Sequence, residues 1–326
     1  MRVLVTGAGG FTGGHLARHF VRRGYEVRGL VRHESQADEL QAAGVAAAIG
    51  TLEDRAALAR AVKDTDVVYH IAAIYRHAGV STSKYHAVNV VAVKDLVEVS
   101  AAAGVKRLVH CSTVGVHGDI QHPPANEEAP LNPGDMYQRT KVEGEQVARH
   151  AAARTGLPVT IARPSGIYGP GDRRLLKLFK GVARRRFVVL GSGDIFYHLT
   201  YIDDLVEGFR LCGEMAAAAN QTYILAGGEV TTLNELIARI AEQAHVEPPS
   251  LKLPVWPVWL AGALCEALCK PFRIEPPLYR RRVDFFTKSR AFDIAKARAE
   301  LGYAPTIGLN EGIRRTLDWY RAHGWL

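Results

Sequence analysis

Through the first 165 residues, short apolar runs alternate with longer segments whose apolar positions recur every three to four residues. The runs Arg2–Thr6, Glu26–Val31, Ala46–Ile49, Val67–Ile71, Arg107–Cys111 and Val159–Ala162 predict buried strands. Between them, Gly13–Arg23, Ser35–Ala43, Arg55–Ala61, Ala87–Ala103 and Tyr137–Arg154 predict helices. Such alternation predicts an α/β fold with a doubly wound parallel sheet and right-handed crossovers. In a sheet of that kind, ligands sit beyond the carboxyl ends of the strands.

After Pro164 the rhythm changes. Gly166–Asp172 predicts a turn-rich link, Arg174–Arg186 a basic helix, and Phe187–Leu190 a short strand. Thr200–Met215 is expected to return to the sheet as a helix and Tyr223–Ala226 as a strand, while the chain from about 228 onward reads as a small helical cap. Leu253–Cys269 is strongly apolar and carries Trp256 and Trp259, but Pro254, Pro257 and Pro271 bound it and Glu266 interrupts it. Its helical part is about a dozen residues, short of the roughly 20 that a bilayer span needs. The expectation is a buried cap helix or a lid over an apolar substrate, with loose membrane contact as the lesser alternative.

At 326 residues and 48% hydrophobic composition, the chain can build one large α/β unit with a smaller one appended. Its start becomes the first core strand, which does not fit a signal peptide. Cys111, Cys212, Cys265 and Cys269 are scattered; the last two stand four apart with no histidine pattern nearby, so no metal site is expected. Free cysteines fit a reducing cytoplasm. The net charge of +8 is dispersed apart from Arg184-Arg185-Arg186 and Arg280-Arg281-Arg282, with little aromatic interleaving. That argues against nucleic acid and for a positive field that draws an anionic cofactor or substrate.

The chemistry begins at Gly7-Ala8-Gly9-Gly10-Phe11-Thr12-Gly13-Gly14, directly after the strand signal Val3–Thr6. Glycine at 7, 10 and 13 allows a tight turn, close approach of a pyrophosphate and packing of the new helix on the sheet. The free N–H groups at that helix start then hold phosphate. Residues 1–165 therefore read as a dinucleotide-binding unit to which 199–227 returns, leaving 166–198 and 228–326 as a substrate-binding cap.

Tyr137 and Lys141 stand four apart on a predicted helix and so share one face. A phenol titrates near pH ~10, and a neighbouring ammonium, with the positive ring of an oxidised nicotinamide, favours its ionised form. Tyr137 can then exchange the proton of a hydroxyl while a hydride moves to or from a nicotinamide. Ser112 and Thr113 end the fifth strand; Thr113 is the expected partner of the substrate oxygen, although hydroxyls at strand ends also bond their own backbone.

This ordered set of motifs resembles the extended short-chain dehydrogenases/reductases, the superfamily of NAD-dependent epimerases and dehydratases. It comprises the loop at Gly7, Gly10 and Gly13, His70-Ile71-Ala72-Ala73, Ser112-Thr113, Tyr137/Lys141, Arg163–Pro170, Leu301–Pro305 and Glu311-Gly312-Ile313, and it covers essentially the whole chain. The resemblance implies a Rossmann-type sheet with a mostly helical cap, and it implies that Thr113, Tyr137 and Lys141 are catalytic. Gly7, Gly10, Phe11, Thr12, Gly13, Leu52, Ala72, Ala73, Pro164 and Ile167 would then contact the cofactor, with Tyr137 and Lys141 also on its nicotinamide end. A homodimer through the helices carrying Tyr137 and Asn89–Ala103 is implied as well.

Relatives using NAD usually end the second strand with an acid that grips the ribose 2′-hydroxyl. Here Val31 is followed by Arg32, which pairs with a 2′-phosphate, so NADP is expected in preference to NAD. Nucleotide-sugar enzymes of the superfamily carry an Asn where this chain has Gly166 and an Arg where it has Tyr197. The Arg163–Asp172 stretch, the Trp-rich segment, Pro276-Pro277-Leu278 and Phe292-Asp293-Ile294 look instead like the 3β-hydroxysteroid dehydrogenase and dihydroflavonol-reductase-like branch. The expected reaction is hydroxyl–ketone interconversion on a bulky, fairly apolar small molecule, touched by Thr113; His117, Tyr197 and His198 either touch it as well or are side chains capped within their own loops. The alternative is a sugar epimerase or dehydratase.

Overall fold

The computed structural model describes residues 1–76, 79–269, 280 and 283–326. Pro271, Pro276-Pro277-Leu278, Arg281 and Arg282 lie outside the described residues. Seven strands form one parallel sheet: β1 (Arg2–Thr6), β2 (Glu26–Val31), β3 (Ala46–Ile49), β4 (Val67–His70), β5 (Arg107–Cys111), β6 (Val159–Pro164) and β10 (Thr222–Leu225). Their order is β10-β6-β5-β4-β1-β2-β3, and every pairing is parallel. The order reverses at β1, between β2 and β4, which opens a crevice at the carboxyl edge.

Helices cover both faces: α1 (Phe11–Arg22), α2 (Glu34–Ala42), α3 (Arg55–Val62), α4 (Thr82–His86), α5 (Ala92–Ala102), α6 (Met136–Thr155) and α8 (Ile202–Glu214). The β1, β4 and β5 strands are buried on both faces, which explains their unbroken apolar runs. The α4 and α5 helices are joined by a π-helical turn, Ala87–Val91, that the sequence did not signal. Its Asn89 bonds both backbone groups of Ile74, at 2.9 and 3.1 Å, and Thr140 of α6 at 3.1 Å. The side chain thus ties the loop after β4 to the helix that carries Tyr137.

The second half holds more strand than expected. The turn-rich link contains β7 (Gly166–Tyr168), parallel to β9 (Phe196–Tyr201), and β11 (Val230–Thr232) runs antiparallel beside β9. Thr200 and Tyr201 therefore belong to a strand, and the helix after them begins at Ile202. The basic helix is shorter than expected, α7 (Leu176–Ala183), and the short strand shrinks to β8 (Val189–Leu190), paired with β12 (Lys252–Leu253). The remaining helices are α9 (Leu233–Ala244), α10 (Val255–Cys269), α11 (Asp284–Thr287), α12 (Ala295–Leu301) and α13 (Leu309–Ala322). Asp204 of α8 ties down the C-terminal region, accepting the N–H groups of Thr306 and Ile307 at 2.8 and 3.1 Å.

One expectation about the cap is overturned. The α10 helix is neither buried nor a closed lid. Of its described residues only Gly262 is buried, and Trp256 is 68% exposed. Among the described residues, no helix is long and apolar enough to cross a membrane.

Candidate active site

The glycine loop is built by close contact. Gly7 has φ +71°, a conformation that side chains disfavour, and a Cβ there would lie 3.0 Å from the backbone of Ala72. A Cβ on Gly13 would lie 2.2 Å from the carbonyl oxygen of Gly7, so only glycine lets α1 start this close to β1. The Gly10 N–H bonds the Gly7 carbonyl at 2.9 Å and closes the turn. Beyond the loop lies a cavity of about 1620 Å³. Gly7, Gly10, Phe11, Thr12, Gly13, Arg32, Leu52, Ala72, Ala73, Pro164 and Ile167 all line it. Residues from β1, β2, β4 and β6 thus converge as a dinucleotide requires: a cradle without side chains at one end and a cation, Arg32, past β2.

Tyr137 and Thr113 line the same cavity. Tyr137 sits in the first turn of α6, whose N-cap Asp135 accepts the N–H of Gln138 at 2.8 Å. Asp135 also pairs with Arg76 at 2.9 Å. The Arg76 guanidinium stands 5.9 Å from the Tyr137 ring centre, and the Tyr75 ring packs edge-on against the same ring at 4.9 Å. Burial pushes the Tyr137 phenol up from its ordinary range, the neighbouring Cys111 and Tyr75 add to this, and Arg76 and Arg174 pull it back. In the protein alone the balance of these effects favours the neutral phenol, and the cations that oppose it are Arg76 and Arg174.

Lys141 lies behind this surface, fully buried. Its ammonium donates to the carbonyl of Cys111 at 2.6 Å and meets Nε2 of His110 at 3.4 Å. Burial lowers its pKa, with Cys111 and Glu145 working against that. Lys141 does not itself line the cavity. Next to it, His110 and His70 stack with ring centres 5.4 Å apart, and burial drives both pKa values down, His70 to about 3.

The two hydroxyls at the end of β5 divide their work. Ser112 donates to Glu145 at 2.5 Å, and Glu145 takes Arg163 through two bonds at 2.9 and 2.6 Å, a buried pair behind the site. Thr113 faces the cavity while its oxygen accepts the Gly115 N–H at 3.0 Å. The turn chemistry foreseen as an alternative is therefore present, and the hydroxyl proton is left to donate.

The cap residues fare differently. His117 does not line the cavity: one ring nitrogen is 3.2 Å from the Pro130 carbonyl and the other 3.2 Å from Arg163, so of the two roles open to it the structure shows the capped, structural one and not substrate contact. Tyr197 and His198 do border the cavity, yet both are buried. The Tyr197 hydroxyl donates to the Phe285 carbonyl, and the His198 nitrogens are taken by Gly227 O at 2.8 Å and Phe292 N–H at 3.3 Å. The cap end is instead made by Phe292, which belongs to a motif noted above, and by residues that no motif marked: Phe187, Phe285 and Phe286, with Arg173, Lys177, Lys288 and Arg290 among them. Among the described residues, no cluster of His, Cys, Asp or Glu could hold a metal ion.

Residues 3–226 match the NAD dependent epimerase/dehydratase family. The chain is 33% identical to the 2-alkyl-3-oxoalkanoate reductase of Stenotrophomonas maltophilia (strain K279a), over 97% of this chain and 98% of that protein. It is 31% identical to 3beta-hydroxysteroid-dehydrogenase/decarboxylase isoform 2 of Arabidopsis thaliana over 97% of its own length, spanning 61% of that longer protein. A third relative is the N-acetyl-alpha-D-glucosaminyl-diphospho-ditrans,octacis-undecaprenol 4-epimerase of Escherichia coli O157:H7, 28% identical over 98% of this chain and 96% of that one. In three dimensions the crystal structure of gox2253 overlays with a TM-score of 0.84 at 29% identity, covering 99% of each chain. The glycine cradle, the reversal of strand order and these likenesses agree: the chain belongs to the NAD dependent epimerase/dehydratase family of enzymes.

Proposed function

We propose that this enzyme interconverts a hydroxyl and a ketone on a bulky, largely apolar substrate, with Tyr137 exchanging the proton. The observation that carries the reading is one continuous cavity with the glycine cradle at one end, Tyr137 and Thr113 at its middle and a phenylalanine-lined wall at the other. A bound nicotinamide cofactor supplies or accepts the hydride. Thr113 donates a hydrogen bond to the substrate oxygen, keeps its own proton, and orients that oxygen. Tyr137 gives that oxygen its proton in reduction and takes it in oxidation. Lys141, bonded to the Cys111 carbonyl, steadies the end of β5 from which Thr113 projects. In our reading 166–198 and 228–326 form the substrate cap, the protein works in the cytoplasm, and α5 and α6 of two copies meet in a homodimer that light scattering would detect.

We assign the cofactor as NADP in preference to NAD. Arg32 lines the cavity past β2, and its side chain has no carboxylate partner among the described residues. Arg32→Ser is expected to raise the KM for NADPH about tenfold or more and leave NADH almost unaffected. Equal effects on both cofactors would defeat the assignment.

A second reading is favoured by the cations at the cap end, Arg173, Lys177, Lys288 and Arg290, which suit a substrate carrying phosphate, as in an epimerase acting on a diphospho-sugar. The two readings separate on cofactor behaviour. Stoichiometric turnover of added NADPH with a ketone supports the reductase. Cofactor retained through purification, with no net consumption, supports the epimerase.

A further inference from the structure

The largest anomaly on the surface is the α10 helix. Trp256, Trp259, Leu260, Leu264 and Leu268 fall at spacings of three, four, eight and twelve residues from the first, which places them on a single face. All five are exposed, between 45% and 70%. The opposite side holds the less exposed Val258, Gly262, Cys265 and Glu266, with Glu266 paired to Arg280 at 2.8 Å. The arrangement inverts the usual amphipathic helix, whose apolar stripe faces the core. Exposed Leu251 and Leu253, on and beside the adjoining β12, extend the patch. A helix of 15 residues is about 22 Å long, too short to cross a bilayer but suited to lying in its surface.

What covers this face is indicated by charge. The β12 strand that feeds α10 pairs in parallel with β8, and β8 is preceded by Arg184-Arg185-Arg186. Extended chain rises about 3.3 Å per residue, so the arginines, which precede β8 while α10 follows β12, stand within roughly 30 Å of the first turn of α10. All three are exposed, and none has a carboxylate partner among the described residues. Phe187, next in the chain, lines the cap end of the cavity. A tryptophan-bearing apolar face with unpaired arginines within that distance matches the acyl region and headgroups of an anionic membrane leaflet. A second copy of this chain would instead bring like charges together.

We propose that α10 and the Arg184–Arg186 run dock the enzyme on an anionic lipid surface, presenting the cap end of its cavity to the bilayer. The docking does not depend on which reaction the cavity supports, and its test reads no turnover.

The full chain is to be sedimented with vesicles of phosphatidylcholine alone and of phosphatidylcholine mixed with phosphatidylglycerol. Binding to the mixed vesicles is expected, with a blue shift of tryptophan emission. Trp256→Glu together with Trp259→Glu is expected to abolish it, with at least about a tenfold loss in partition. Replacing Arg184, Arg185 and Arg186 by Ser is expected to weaken binding about fivefold per cation removed, and only on the anionic vesicles. Thermal melting and nucleotide binding of these variants, unchanged, certify their fold. Absence of vesicle binding by the unaltered chain overturns the proposal. So does binding that survives the tryptophan changes, or a self-associated species in solution that those changes dissolve.

Discussion

The two ends of the cavity recruit their residues in opposite ways. At the sheet end, Gly7, Gly13, Thr113 and Tyr137 follow directly from strand ends and first helical turns, and all four face the cavity as the local sequence nominates, although Lys141 lies behind it. At the cap end, the polar residues nominated by sequence, Tyr197 and His198, spend their hydrogen bonds on the backbone at Phe285, Gly227 and Phe292. The wall itself comes from Phe187 and Phe285–Phe286, about a hundred residues apart. A parallel sheet fixes where its carboxyl edge lies and therefore which residues meet there. A cap of short strands and helices has no such rule, and each polar group goes to whichever neighbour leaves it unburdened by desolvation.

The contrast can be broken most sharply at Tyr137. Tyr137→Phe is expected to lower kcat by about 10²–10⁴-fold while the dissociation constant for nucleotide, read by cofactor fluorescence, stays within about threefold. Unchanged kcat would remove the sheet end from the chemistry.

Next in size is the support behind that end. Arg163→Met leaves Glu145 buried without its cation, and chemical denaturation is expected to show a loss of about 3–5 kcal/mol. Replacing both partners by apolar residues of similar volume is expected to recover part of it, which would identify desolvation as the cause.

The stacked histidines add a pH dependence. Their folded pKa values lie below the unfolded value of about 6.5, His70 at about 3. Below about pH 6.5 the unfolded chain takes up protons that the folded chain refuses, so stability is present at neutral pH and falls as the pH drops. Each histidine contributes up to about 1.4 kcal/mol per pH unit until its folded pKa is reached. Urea unfolding at pH 7 and pH 5 measures the slope, and His110→Leu is expected to flatten it. A slope that persists unchanged would exclude His110 as a source.

Smallest is the effect at the cap. Tyr197→Phe removes one buried hydrogen bond and is expected to cost about 1 kcal/mol in stability with substrate KM within about threefold. A tenfold rise in KM would show that Tyr197 touches substrate after all.

Sequence legibility follows the same divide. The seven strands of the main sheet and the cradle at Gly7–Gly13 could be read because period, apolar runs and glycine spacing are local consequences of strand, helix and turn geometry. The Thr113 and Tyr137 positions could be placed for that reason too. The strands β7, β9 and β11 could not, since β7 and β11 are only three residues each and all three are held by partners distant in sequence. Arg76 left no trace beforehand: its place beside the Tyr137 ring depends on the loop after β4 and on its ion pair with Asp135.

Local order along the chain therefore determined the sheet, the glycine cradle and the helix face that bears Tyr137. Only the folded molecule decided that Lys141 sits behind the cavity wall, that His117 serves the Arg163 cluster, and that the apolar stripe of α10 faces outward. The physical reason is that propensity and periodicity act over a few residues. Burial, and hence which side chain is left free to react or to bind, is set by what packs against it from elsewhere in the chain.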